Sequence, residues 1–430
     1  MKRSWSPFPP PDDVDCPVLS TSSATIKRGG IYYFSIPDFF NLIFFTIPTN
    51  VRSIEYCAFS GCSKLKHIII PNSVRVIENS AFSSCESLND IIMPDSVIKI
   101  EGYVFSHCKS LKNIKLSNNI KRIPHGAFSE CLSLTNIVIP NGVIEIECRA
   151  FEKCSSLTNI TIPNSVTEIG CFVFAECSSL NKIIFSRNIS VISSFAFFKC
   201  KSIKKLQFPP SVKEIGICAF SGCISIKNII IPDSVTKIYE KAFADCVLIK
   251  QITIPKSVIE IHDDIFSGCS NLTEIIIPNV IEIIERHVLF GEKILCGIKL
   301  PYSIKYLNNN SFYENYIYTT IIPNYIKKIG AFTFFDCINL LNIIIPEGVI
   351  EIGKSAFENC ADLEEIIIPS SVNFIGDFAF AGCSSLNDVI IQNSKLEYGL
   401  RVFSGSQAKF VFPSKSQNDV KFIPDFFKKN

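Results

Sequence analysis

The segment Leu157-Thr158-Asn159-Ile160-Thr161-Ile162-Pro163-Asn164-Ser165-Val166-Thr167-Glu168-Ile169-Gly170 carries two short apolar patterns separated by a proline. Ile160-Thr161-Ile162 alternates apolar and polar with β-branched side chains, the signature of a short strand buried on one face. Pro163 has no N–H to give to a ladder and therefore ends that strand. Val166 and Ile169 are the next inward positions and predict a second extended piece on the opposite side of a coil. Gly170 is read as helping the chain to turn, as are Gly216, Gly330, Gly353 and Gly376. The residues from Phe174 to Cys177 predict a single helical or 3-10 turn that returns the chain to its next strand.

Working outward, the same row repeats every 23 residues. Phe recurs at 59, 82, 105, 128, 151, 174, 197, 220, 243, 266 and 312, then after one deletion at 334, 357, 380 and 403, with Leu289 as the break. Eleven residues before each Phe stands a Pro in most rows, from Pro48 to Pro369, and Ser117 and Ser186 fill gaps in phase. No single coil can bury its Leu, Ile, Val, Phe and Cys face alone, so stacked neighbours must do it. The chain therefore predicts one repeat solenoid of about sixteen 23-residue coils over residues 42–405, with an N-terminal tail and cap at 1–41 and a C-terminal cap or tail at 406–430.

Composition agrees with one large core. Of 430 residues, 47% are hydrophobic and 36 are Phe, too much apolar surface for a disordered chain. Mean hydropathy is +0.29, yet no window approaches the ~18 unbroken apolar residues of a transmembrane helix. The nearest candidate, Ile31 to Ile47, is broken by Pro37, Asp38 and Asn41. The 42 basic and 40 acidic residues are spread along the chain, which gives no electrostatic footprint for nucleic acid. Met1 to Pro7 has two basic residues without an apolar run behind them, which does not read as a secretory signal peptide.

Thirteen of the 19 Cys share one column, from Cys62 to Cys383. In-register side chains on stacked coils point the same way, whereas a disulfide needs converging Cβ vectors. One thiol per coil cannot surround a metal tetrahedrally. A buried thiol ladder donating weakly to backbone carbonyls is the expectation, and so many thiols favour a reducing compartment. Cys148 and Cys171 share a second column and are the best disulfide candidates should the protein be exported. Cys16, Cys57, Cys218 and Cys296 read as unpaired.

No catalytic site is expected. His67, His107, His125, His262 and His287 fall in different coils and columns, and none of the common catalytic or nucleotide-binding motifs occurs. His107 beside Cys108 and the run His262-Asp263-Asp264 are read as surface features rather than as a couple or a metal site, so no cofactor or metal is expected. Lys99, Arg122, Glu145, Glu168, Glu214, Lys237 and Glu260 form an outward row of mixed charge. The coils near 285–320 are degenerate, and sequons occur at Asn159, Asn188, Asn271 and Asn309. Pro7-Phe8-Pro9-Pro10-Pro11 reads as part of a disordered tail.

The motif Leu-x-x-Ile-x-Ile-Pro, followed by Val-x-x-Ile-Gly and Ala-Phe-x-x-Cys, resembles the leucine-rich repeats of the BspA-like family, best at Ala58 to Cys62, Ala219 to Cys223 and Ala379 to Cys383. The resemblance implies a leucine-rich-repeat horseshoe with a parallel β-sheet on its concave face and short extended or 3-10 segments on the convex side. It also implies a non-enzymatic protein-binding role at the cell surface, in adhesion or host-protein binding. An intracellular protein-interaction scaffold in the cytoplasm is the alternative that the N-terminus and the cysteines favour. A ligand would sit on the concave face. Its candidate residues are the polar row Asn136, Asn159, Lys182, Lys205 and Asn228, and the outward apolar row Ile230, Ile276, Ile321, Ile344, Ile367 and Ile390. A row of Ile facing water would be an interaction patch, or would serve only cross-strand pairing.

Overall fold

The computed structural model describes Gly30–Ile31 and residues 41–284, 303–304, 306–307, 309–314 and 317–412. Over these residues the chain is a solenoid of stacked coils. Each coil typically contributes a three-residue strand, a two-residue strand and a run of turns, and no α-helix occurs among the described residues. Every strand pairs in parallel with its counterpart in a neighbouring coil, in the register the repeat dictates: Asn159 opposite Lys182, Ile160 opposite Ile183, Thr161 opposite Ile184. The period shortens by one where Leu307 pairs with Ile329.

The alternation read at Ile160 holds throughout the three-residue strands. In His67–Ile69, Asp90–Ile92, Asn228–Ile230 and Asn342–Ile344 the outer residues are exposed and the central one is buried. Asn136-Ile137-Val138 keeps that pattern but does not enter a ladder. The row is consequently a series of sheets of two to four strands, not one continuous sheet. The two-residue strands form the longest uninterrupted ladder, seven strands from Glu260–Ile261 to Glu397–Tyr398.

Proline acts as expected and does a second job. The Pro163 carbonyl accepts the Val166 N–H at 2.9 Å, closing a turn between the two strands, and Pro71, Pro232 and Pro369 do the same. Where Ser replaces Pro, its hydroxyl compensates: Ser117 donates to the Val97 carbonyl at 2.6 Å and Ser186 to that of Val166 at 2.7 Å.

On the third side the 3-10-type bonds are present, with Cys62 N–H donating to the Phe59 carbonyl. They do not propagate into a helix, because two residues per coil, four apart, lie in the left-handed region, such as Arg149 (φ 58°) and Lys153 (φ 57°). Single left-handed residues cost about 1–2 kcal/mol each. The conformation turns alternate N–H groups toward the next coil: Arg149, Phe151 and Lys153 donate to the carbonyls of Cys171, Val173 and Ala175 at 2.7–2.9 Å. This side is thus hydrogen-bonded between coils as the strands are.

The glycines stand directly before the turns, and the structure gives a further reason for them. Gly170, Gly216, Gly353 and Gly376 do not have positive φ. They are required because the coil before them lies too close for a side chain. A Cβ on Gly170 would come within 2.2 Å of the Cys148 backbone nitrogen, and one on Gly376 within 2.5 Å of that of Lys354.

The core is columnar. Phe59 to Phe266 and Phe312 to Phe403 are buried, and neighbouring rings stack at 5.1–6.2 Å with interplanar angles of 3–16°. The residue before each Phe, small in most coils as at Ala150 or Val173, is buried with it. Beside the rings runs the thiol ladder. Each sulfur from Cys85 to Cys269 donates to the carbonyl of the Phe 26 residues earlier, at 3.0–3.3 Å. Burial pushes the thiols of Cys154, Cys177 and Cys200 well above the ordinary range.

At the ends, Gly30–Ile31 pairs with Ser53–Ile54, and Lys409–Val411 adds a strand beyond Asp388–Ile391. Phe410 packs edge-on against Phe403 at 5.1 Å. The remainder of both expected caps, together with Cys16, His287, Leu289, Glu292, Cys296 and Asn315, lies outside the described residues.

Candidate binding surface

Because the repeat is in register, each strand position becomes a row along the solenoid. The strand-opening row, His67, Asp90, Asn113, Asn159, Lys182, Lys205, Asn228, Gln251 and Glu274, is exposed, as is Asn136. Two strand positions further on, the apolar row faces solvent: Val138 is 78% exposed, Ile230 70%, Ile321 64% and Ile344 59%. Ile276 and Ile367 are exposed too, whereas Ile390 is half-buried. The register sets Lys205 opposite Asn228, Ile321 opposite Ile344 and Ile367 opposite Ile390. The eleven candidates therefore share one face, and the structure brings them together as neighbouring coils rather than as a pocket.

The charge on this face is not uniform, a feature missed when each row is read by itself. Lys182, Lys204, Lys205, Lys227 and Lys250 are exposed in consecutive coils. Further along, Asp362, Glu364, Glu365 and Asp388 are exposed around Ile367. The signal was available in the residue just before each strand, a column that carries Lys in the middle coils and Glu364 near the end.

The two-residue strands carry the mixed-charge row. Glu214 stands opposite Lys237 in register, but among the described residues the ion pairs on this side are Lys99 with Glu101, Arg122 with Glu101 and with Glu147, both at 3.3 Å, and Lys328 with Glu351 at 2.6 Å. The basic partner of each is exposed, and such surface pairs contribute about 0–1 kcal/mol.

The turn side holds most of the histidines. His107 Nε2 lies 3.3 Å from Glu130, whose other oxygen accepts Lys153 Nζ at 2.9 Å. A hydrogen bond from Lys153, with His107 beside it, holds the Glu130 carboxyl below its usual range. His107 is exposed and Cys108 fully buried, so the two side chains part. His262 stacks on Tyr239 at 5.8 Å beside a shallow hollow lined by Ile217, Glu240 and Asp263. Among the described residues no three His, Cys, Asp or Glu side chains converge as a metal site, and no helix is long and apolar enough to cross a membrane. Of the sequons, the Asn188 and Asn271 amides donate across coils to the Asn164 and Val247 carbonyls, and Asn309 accepts the Ala331 N–H. Asn159 alone stands on the exposed strand face.

A parallel solenoid with columnar Phe and Cys and an open, partly apolar strand face defines a leucine-rich-repeat scaffold, a class that generally binds proteins and is typically non-enzymatic. The chain belongs to the BspA type leucine rich repeat family, whose model matches residues 31–155, 121–247, 192–319 and 305–427. In structure it is similar to a leucine-rich repeat protein from Bacteroides ovatus, with 24% identity, 93% of this chain and 100% of that chain covered, and a TM-score of 0.62. It is also similar to a leucine rich cell surface protein from Faecalibacterium prausnitzii, with 25% identity, 89% and 96% covered, and a TM-score of 0.47. A leucine-rich repeat protein from Eubacterium ventriosum follows at 19% identity, 92% and 91% covered, and a TM-score of 0.41. The match to the Bacteroides ovatus protein is one of fold. No curated protein matches the chain.

Proposed function

We propose that this protein is a surface adhesin that grips a host protein along the exposed face of its three-residue strands. The observation that carries the reading is the apolar row. Ile321, Ile344 and Ile367 are exposed in three successive coils, and Val138 and Ile230 are exposed singly elsewhere on the same repeating face. Contiguous apolar surface of this kind is uncommon on a free-standing protein and usually marks an interaction site. Membership in the BspA type family supports the same role. The polar row from Asn136 to Asn228 supplies hydrogen-bond donors and acceptors around it, and the Ile321 to Ile390 stretch is its apolar centre.

The test uses the full chain and a panel of immobilised serum and extracellular-matrix proteins. Saturable binding to one of them is expected. The double variant Ile344→Lys/Ile367→Lys should abolish it with the melting temperature unchanged, since both side chains already face solvent. Binding that survives both charges would sink the assignment of the face. Antibody labelling of intact source cells tests placement: signal only after permeabilisation would replace adhesion with an intracellular scaffold.

A further inference from the structure

One side-chain cluster on the turn side is not used by the binding surface. Cys148 and Cys171 are half-buried at the outer edge of consecutive coils, unlike the fully buried ladder thiols. His125 occupies the same column one coil earlier. We propose that Cys148 and Cys171, with His125 beside them, form a redox-active dithiol site that reacts with small disulfides of the glutathione type.

The geometry is specific to this pair. In-register side chains on stacked coils ordinarily stay parallel, which keeps the ladder cysteines from bridging. Here the Cys148 sulfur leans across the coil boundary and accepts the Cys171 backbone N–H at 3.3 Å. Gly170 makes that approach possible, because its missing side chain lets the coil carrying Cys171 settle directly on the Cys148 backbone. His125 is held on the other flank. Its backbone N–H donates to the Glu147 carboxylate at 2.9 Å, and its ring meets the edge of Tyr103 at 5.1 Å.

Hydrogen bonds from the Cys171 thiol and the His125 ring hold the Cys148 thiol down at about 4, while the shared proton pushes Cys171 up. A thiolate so stabilised is the attacking group, and its neighbour the resolving one. Glu145 and Glu147 stand nearby and oppose the negative charge, with Glu147 partly neutralised by Arg122.

The reaction balances in two steps. Cys148 thiolate attacks one sulfur of the small disulfide, forming a mixed disulfide and releasing one thiolate, which takes up the proton Cys148 had given to solvent. Cys171 then attacks Cys148 Sγ, forms the Cys148–Cys171 bond, and its proton leaves with the second small thiol. The protein dithiol loses two electrons, and the small disulfide gains them.

The test treats the reduced full-length chain with oxidised glutathione and follows intact mass and peptide maps. Loss of two hydrogens with a Cys148–Cys171 linked peptide is expected, at least about tenfold faster than modification of any ladder cysteine. Cys171→Ser should stop at one glutathione on Cys148, and His125→Gln should slow the first step about tenfold without a change in melting temperature. A glutathione adduct that persists on Cys148 in the unaltered chain overturns the proposal, as does first reaction at another cysteine. Should Cys171→Ser unfold, the peptide map of the unaltered chain decides by itself.

Discussion

At Gly376 a single methyl group would have to share space with the Lys354 backbone, 2.5 Å away. Backbone cannot rotate aside as a side chain can, so Gly376→Ala should destabilise the chain by about 1–3 kcal/mol, read as a lowered urea midpoint. Gly61 is the contrast: it has φ 78° but open space around it, so its alanine variant should lose only about 1 kcal/mol of left-handed strain. Equal losses at both sites would mean that turning, not coil contact, selects these glycines. Glu130 adds a pH dependence. Its carboxyl is held below 4.5 by Lys153 and His107. A depressed carboxyl contributes stability that is present above 4.5 and lost as pH falls through the folded-state value. The melting temperature should therefore exceed that of Glu130→Gln near neutrality, and the gap should close in acid. A gap that is unchanged below pH 4 would rule out the pairing.

The elements are too short to persist alone. Strands of two to four residues and turns with left-handed residues gain stability only from the coil on either side, through ladder bonds, stacked rings and thiol contacts. Phe197 shows the scale: it is fully buried and stacks on Phe174 at 5.4 Å and Phe220 at 5.2 Å. Phe197→Ala should cost about 3–5 kcal/mol. Hydrogen exchange should quicken first in the coils flanking residue 197 while the ladder from Glu260 to Tyr398 stays protected. Uniform loss of protection would show that the solenoid unfolds as one unit. The strand at Ile160 was legible because alternation and proline mark it. The turn at Phe174 was only half legible: left-handed residues such as Tyr103 and Phe378 have no residue-type signature, since the conformation is imposed by bonds to the next coil.

Across the whole molecule, register converts local composition into surfaces. Lysines spaced along the chain become a basic stretch from Lys182 to Lys250, and Asp362, Glu364, Glu365 and Asp388 become an acidic one around the exposed Ile367. A partner lying along the strand face would meet basic, apolar and acidic ground in turn, which favours one orientation of docking. The sequence by itself determined the period, the columns that go inward and the exposed apolar row, because a 23-residue repeat with fixed Pro, Phe and Cys leaves one way to bury its face. It also placed Cys148 and Cys171 in one column. Only the tertiary structure decided which side forms the longer ladder, why Gly170 and Gly376 are glycine, and that the Cys148 sulfur leans toward Cys171 while the ladder thiols turn to carbonyls. Those outcomes depend on how closely one coil settles on the next, a distance set by packing across coils and written in no single row of residues.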